Sequence, residues 1–342
     1  MDNGLKKTTK KQLLVCGIIL AAVALLILAA YIGVNIFLNS INRIDPERSY
    51  ADKKTSAVSG SGESEELDPI FAKADEIFAG NDVVNILLAG QDRRPWEEDV
   101  SQKTDAMILC TIDLDNKRIT MTSFLRDLWV YIPNLYNQRL NMPYKLGGFP
   151  LLNDTLEYNF GVRADYNVEI DFAGFMESVD IIGGLELTLT AAEAEYLNKR
   201  GNWGVVGNIN WTLREGKNLM SGSQVLAYTR ISQLGTDFAR TNRHCTVLTA
   251  LIEKMEAVSS TELFDYSREI LPLLSTDMNN NQMIELLLHM LPILADLEIK
   301  TQHIPISDQF TYEKKGEEDV LVMSREQLDR NKKLLSETMR GK

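Results

Sequence analysis

Val84-Asn85-Ile86-Leu87-Leu88-Ala89 and Ala106-Met107-Ile108-Leu109-Cys110-Thr111-Ile112 are nearly unbroken apolar runs of strand length. A strand that covers a core on one face alternates apolar with polar residues, whereas a continuous run calls for cover on both faces. Working outward, further strands are expected at 119–123, 128–132, 166–170, 185–189 and 298–304, with Pro133-Asn134 as a stop after the second of these. Helical spacing is expected at 151–160, ending at Gly161, and between 170 and the pair Gly183-Gly184. It returns at 191–198, 221–228, 238–258, 281–291 (stopped by Pro292) and 324–338. This alternation predicts an α/β fold, a three-layer domain with a central mixed β-sheet flanked by helices.

The N-terminus reads differently. Residues 12–42 hold no charge and 13–38 are almost wholly apolar. At about 1.5 Å per residue, such a helix exceeds the roughly 30 Å hydrocarbon core of a bilayer. Lys6, Lys7, Lys10 and Lys11 outweigh Asp2 ahead of it, so the positive-inside rule keeps that tail in the cytoplasm. A cleaved signal peptide is the competing reading; the run is longer than a signal core, and no A-x-A site follows Leu38. The expected organisation is a cytoplasmic tail at 1–11, a transmembrane helix at 12–39, and an extracellular stalk at 40–81 rich in Ser, Asp, Glu and Lys. A globular domain follows from residue 82, placing the protein in a cell membrane as a single-pass chain with its C-terminal domain outside.

Net charge is -12 over 342 residues, and the basic tail makes the exported part more acidic still. That disfavours nucleic acid or any other extended polyanion as partner. Against this background Arg230, Arg240 and Arg243 stand within one short stretch with only Asp237 between them. A guanidinium suits phosphate geometry and stays charged, so the cluster fits a small anionic group; arginines paired to surface carboxylates are the plain alternative. Cys16, Cys110 and Cys245 each lie in apolar runs and give no disulfide framework. With three histidines, and neither zinc-ligand spacing nor a Gly-rich phosphate loop, zinc and P-loop chemistries find no support.

The expected strand ends are polar. Gly90-Gln-Asp92 closes the first strand and Lys103-Thr-Asp105 opens the second, so their carboxylates share a sheet edge if these strands are neighbours. Ser123-Phe-Leu-Arg126-Asp127 closes the third, and Arg139 precedes a turn-rich stretch to Gly148. Carboxylates among cations suit a metal-bound pyrophosphate, with oxygen ligands on Mg²⁺ (or Mn²⁺) and arginines on the remaining phosphoryl charge.

In this order the motifs resemble the LytR-CpsA-Psr (LCP) family, membrane-anchored enzymes of Gram-positive envelopes that transfer glycopolymers from a polyprenyl-pyrophosphate carrier to peptidoglycan. The resemblance rests on Asn85-Ile-Leu-Leu-Ala-Gly-Gln-Asp92, Lys103-Thr-Asp-Ala-Met107, Ser123-Phe-Leu-Arg-Asp127, Asn141 to Gly148, Val179-Asp-Ile-Ile-Gly-Gly184 and the block from Arg230 to Arg243. It makes 82–258 the catalytic region, with 259–342 completing the same domain. It implies Asp92 and Asp105 beside the metal, and Asp92, Asp105, Arg126, Arg230, Asp237 and Arg240 as catalytic residues. Lys103, Arg126, Arg139, Arg230, Arg240, Arg243 and His244 would bind the pyrophosphate. The implied partners are a polyprenyl-pyrophosphate-linked glycopolymer (teichoic acid or capsule), peptidoglycan and the bilayer. Ser232 and His244 depart from the family's usual arginine and glutamine, and Lys103 from its usual arginine. Those departures keep two alternatives open: a non-catalytic lipid-pyrophosphate or glycan-binding regulator, and a lipid pyrophosphatase. Phe172, Phe175, Met176 and Val179 have the spacing of a lipid-pocket wall or of ordinary core, and core is favoured.

Overall fold

A computed structural model describes residues 32–44, 83–91, 104–199, 211–231, 233–235, 237–293 and 296–339. The chain divides into two compact units, Met1–Ile41 and Asn42–Lys342. Of the first, residues 32–38 are helical and expose Ile32, Val34 and Ile36. No helix among the described residues is long and apolar enough to cross a membrane. Most of the span expected at 12–39 lies outside them.

The second unit is built on a mixed seven-stranded sheet. Its strands are β1 (Asn42–Arg43), β2 (Val83–Gln91), β3 (Thr104–Asp113), β4 (Arg118–Phe124), β7 (Tyr166–Asp171), β10 (Ser275–Thr276) and β11 (Glu298–Ile304), in the order β1-β10-β7-β2-β3-β4-β11. β2, β3 and β4 form an antiparallel meander, while β7 joins β2 and β11 joins β4 in parallel. Two expected strands lie outside this sheet. The run at 128–132 becomes β5 (Trp129–Tyr131), paired with β6 (Asn137–Arg139), and 185–189 is β8 (Leu185–Leu189), paired with β9 (Gly216–Met220). A hairpin of β12 (Thr311–Lys315) and β13 (Glu318–Val322) follows β11. Residues 42–43, expected in the stalk, are instead an edge strand. Their backbone amides and carbonyls are paired with β10, which an unstructured tether would leave to solvent.

The helices are α1 (Met142–Phe160), α2 (Phe172–Ile181), α3 (Ala191–Lys199), α4 (Gly222–Thr229), α5 (Asp237–Ala257), α6 (Ser260–Ile270), α7 (Asn280–Met290) and α8 (Arg325–Met339). α1 begins nine residues before the expected helix at 151–160, because the polypeptide kinks at Gly147 and Gly148 and then resumes. It ends as expected at Gly161, where φ is 74° and a Cβ would be strained.

The strand alternation explains the unbroken apolar runs. Leu87, Ala89, Met107 and Leu109 point into one core with Leu152, Leu156 and Phe160 of α1 and Leu335 of α8. Their neighbours Leu88, Ala106 and Ile108 line a cavity on the opposite face. A second core, holding Val179, Leu187, Leu197, Val225 and Val247, backs the helices around that cavity.

Candidate functional site

The cavity has a volume of about 670 Å³, and its wall is of two kinds. Asp105, Arg126, Arg139, Asn141, Arg230, Arg240 and His244 supply charged and polar groups. Glu169, Asp171 and Thr229 add further polar groups, and the remainder, with Ile108, Ile170, Phe172, Phe175, Leu226 and Leu274, is apolar. Such a wall suits an amphiphile with an anionic head.

Backbone register builds the charged part. β2 and β3 are neighbours, Gln91 lies opposite Thr104, and a register shift at Gly90/Gln91 accompanies the arrival of Asp105 at the sheet's edge. Arg126 follows the end of β4 and donates from Nη1 to Asp105 Oδ1 at 2.7 Å. Its Nε reaches Asp127 Oδ2 at 3.3 Å, and Asp127 Oδ1 accepts from Arg139 Nη1 at 3.2 Å. The second guanidinium nitrogen of Arg139 is held by Glu318 of β13. Asp127 thus braces two of the cavity's cations.

From the other side, Arg230 terminates α4, its guanidinium carbon 4.8 Å above the Phe172 ring, and Arg240 sits in the first turn of α5. Burial pushes the Asp105 carboxyl upward, but the guanidinium groups of Arg126, Arg240 and Arg230 outweigh it and hold the group below its ordinary value. Cations from three separate chain segments therefore converge on one carboxylate.

Other expected residues stand elsewhere. Asp92 and Lys103 lie outside the described residues, as does the side chain of Asp237. Arg243 does not line the cavity: it is 6% exposed, donates to Glu193 Oε1 at 2.9 Å, and also binds the carbonyls of Ile231 (3.1 Å) and Leu234 (2.9 Å). Its charge is spent on closing the α4–α5 loop, so the pyrophosphate role assigned to it is replaced by a structural one. His244 does line the cavity, but burial lowers its pKa to about 4 despite Asp105 and a hydrogen bond to the Thr229 backbone. It is a neutral imidazole at physiological pH and adds no cation. Of the four candidate wall residues, Phe172 and Phe175 face the cavity, whereas Val179 is fully buried in the second core.

Sequence reasoning gave no role to Asn141 or Glu318. Asn141 is buried in the cavity wall, and its side-chain oxygen has no hydrogen-bond partner among the described residues. Glu318 lies 179 positions from the arginine it holds, beyond any local pattern.

Residues 39–337 match the model of the LytR_cpsA_psr family. The chain belongs to that family. Among LytR_cpsA_psr relatives, it is 28% identical over 225 residues to the polyisoprenyl-teichoic acid–peptidoglycan teichoic acid transferase TagT of Bacillus subtilis, covering 65% of this chain and 67% of that protein. It is also 28% identical over 173 residues to the regulatory protein MsrR of Staphylococcus aureus, half of this chain and 49% of the relative. A solved structure of the LytR-CPS2A-psr family protein YwtF (TagT) with bound octaprenyl pyrophosphate lipid superposes with a TM-score of 0.57 at 22% identity, covering 80% of this chain and 93% of that one. At that identity the likeness establishes the LytR_cpsA_psr fold.

Proposed function

We propose that this protein is a membrane-anchored phosphotransferase that moves a glycopolymer from a polyprenyl-pyrophosphate carrier to a peptidoglycan hydroxyl and releases polyprenyl phosphate. One observation carries the reading: Arg126, Arg230 and Arg240 converge beside an ionised Asp105 in a cavity whose wall is otherwise largely apolar. The pyrophosphate meets the arginines while the isoprenoid lies against Phe172, Phe175 and Leu274. The acceptor hydroxyl attacks the phosphorus nearest the glycopolymer, the bond to the bridging oxygen breaks, polyprenyl phosphate leaves with that oxygen, and the hydroxyl proton passes to the departing phosphate or to solvent. Arg126, Arg230 and Arg240 stabilise the charge that builds on it. The orphaned side-chain oxygen of Asn141 is suited to accept from a hydroxyl of the sugar or acceptor.

Mg²⁺ fits this donor set as a hard cation held by one or two carboxylates together with phosphate oxygens and water. Asp105, kept ionised, offers such an oxygen, and Asp92 is the second proposed ligand; the metal would neutralise phosphoryl charge. An Asp105 held below its ordinary pKa is a weak base, which favours ligation and orientation over proton abstraction. Residues 12–39 are the proposed anchor, with the second unit outside the cell.

The test reconstitutes the full chain in nanodiscs with Mg²⁺, a lipid-pyrophosphate oligosaccharide and peptidoglycan fragments. Polyprenyl phosphate appearing together with a glycan–peptidoglycan conjugate is the expected outcome. Tight binding without turnover under every divalent metal would overturn it in favour of a regulator, a reading that the neutral His244 keeps in view. Lipid phosphate without conjugate would indicate a pyrophosphatase.

A further inference from the structure

Arg139 lines the cavity, yet both terminal nitrogens of its guanidinium are committed to carboxylates of the protein. Nη1 donates to Asp127 Oδ1 at 3.2 Å, and Nη2 is held by Glu318. Nε, which shares an edge of the planar group with Nη2, is buried and has no hydrogen-bond partner among the described residues. Glu318 thus fills half of a two-donor edge and strands the other half, at the free-energy cost of an unsatisfied buried donor. A phosphoryl group, with two oxygens matched to the guanidinium fork, satisfies both donors at once.

The charge balance points the same way. Arg126 contacts Asp105 and Asp127, so the guanidinium groups of Arg126 and Arg139 together face three carboxylates once Glu318 is counted. This pair of cations has no surplus charge to offer a phosphate while all three stay in place. Of the three, Glu318 is the one able to leave. The side chains of Asp105 and Asp127 are 21% and 10% exposed, that of Glu318 39%. It is the first residue after the two-residue turn Gly316-Glu317 that joins β12 to β13, and a Cβ at Gly316 would meet nothing within 4 Å. Three residues on, the Leu321 N–H donates to the Asp127 carbonyl at 2.9 Å, which holds the strand in place while the Glu318 side chain rotates.

We propose that Glu318 is a built-in counter-anion of the pyrophosphate site: it occupies Arg139 when the cavity is empty and is displaced when a phosphoryl group binds across Nε and Nη2. Its release into water costs little, because its pair with Arg139 is already partly solvated. The competition makes the site selective for ligand charge. A pyrophosphate reaches the other arginines as well and outcompetes the carboxylate, whereas a single phosphate engages fewer of them and gives Arg139 back to Glu318. A substrate with two phosphoryl groups is thereby favoured over a product with one. The inference rests on the pyrophosphate-binding part of the proposed function and adds to it a specificity-determining residue that acts by leaving.

Titrations of the full chain in nanodiscs with inorganic pyrophosphate and with inorganic phosphate test it, on the wild type, Glu318→Gln and Glu317→Gln. Glu318→Gln keeps the shape of the side chain and removes its charge. It is expected to tighten phosphate about three- to fivefold, the scale of a partly exposed ion pair relieved, and pyrophosphate by less, so that the preference for pyrophosphate narrows. Glu317→Gln, one residue earlier in the turn, changes net charge equally and is expected to shift neither anion. Weaker binding in Glu318→Gln overturns the proposal, since that is the result of a carboxylate that only braces Arg139. Unchanged affinities overturn it too, and so does equal tightening in Glu317→Gln, which reduces the effect to net charge. No binding of either anion by the wild type removes the pyrophosphate site and this inference with it. Turnover is not measured, so a chain that shows the expected shifts without transferring glycan loses only the transferase reading.

Discussion

Arg126 binds Asp105 at 2.7 Å through one nitrogen and Asp127 at 3.3 Å through another, so a single guanidinium links the edge of β3 to the bracing carboxylate that also holds Arg139. Arg126 is thereby fixed in orientation before any ligand arrives. A preorganised cation stabilises developing charge without reorganising during the reaction, which is where such a group contributes most.

Arg126→Ala is expected to lower kcat/KM by about 10²–10³, the range for losing one preorganised donor to a developing anion. It also has a pH signature. Because the Asp105 pKa is lowered in the folded protein, its contribution to stability is present above the ordinary value of 3.8 and is lost as pH falls through the lower folded value. Removing Arg126 leaves burial less opposed, so the acidic limb of ligand binding should move to higher pH. A binding profile between pH 3 and 8 on both proteins measures this, and an unmoved limb would contradict the coupling.

His244 gives a prediction in a different window. Its folded pKa of about 4 lies below the ordinary 6.5, so the unfolded chain binds the extra proton between those values and stability declines as pH drops from 6.5 towards 4. The full effect is roughly 3 kcal/mol. His244→Gln removes the titration while keeping a neutral hydrogen-bonding group. Its melting temperature should fall less than that of the wild type between pH 7 and 4.5, and activity near neutrality should show no histidine limb in either protein.

What the sequence made legible follows from how each element is stabilised. β2 and β3 were evident because burial on both faces writes continuous apolar runs, whereas β4, β7 and the edge strand β11 alternate apolar with polar residues, and β11 was placed to the residue. β6 (Asn-Gln-Arg), β9 (Gly-Lys-Asn-Leu-Met) and β12 (Thr-Tyr-Glu-Lys-Lys) were missed because each pairs in a partly exposed two-stranded ribbon with no apolar face to record. The first half of α1 was hidden by Pro143 and Gly147-Gly148, which signal a turn locally but are overridden by packing of Phe149 and Tyr144. The site was partly readable. Arg126, Arg230, Arg240 and Asp105 carry charge in excess of local counter-charge, whereas Arg243 looks identical in sequence and differs only because Glu193 reaches it from 50 residues away.

Arg243 and Arg230 should consequently separate in experiment. Arg243→Ala strands Glu193 in a mostly buried site and frees two carbonyls, so unfolding free energy should drop by about 3–5 kcal/mol, as for other broken buried pairs. Arg230→Ala removes a cavity cation and its contact with Phe172 and should leave stability within about 1 kcal/mol while weakening pyrophosphate binding at least tenfold. Urea denaturation and inorganic pyrophosphate titration on each variant distinguish the roles; equal binding losses in the folded fractions would restore Arg243 to the site.

Gly222 positions Arg230 from the far end of α4. A Cβ at residue 222 would lie 1.9 Å from the Met176 carbonyl oxygen and 2.6 Å from its carbon, backbone atoms of α2 that cannot swing away. The Gly222 N–H also donates to Asp180 Oδ1 at 2.7 Å, locking the start of α4 against the same helix. Gly222→Ala must therefore push the helices apart, at a cost of about 3 kcal/mol, and shift the Arg230 that ends α4. Gly183→Ala serves as the comparison: φ there is +77° but nothing lies within 4 Å of the new Cβ, so only backbone strain of roughly 1 kcal/mol is added. Lower urea midpoints are expected for both, larger for Gly222→Ala, and only Gly222→Ala should also weaken pyrophosphate binding. Equal binding by the two variants would mean that the α2–α4 contact does not set the arginine's position.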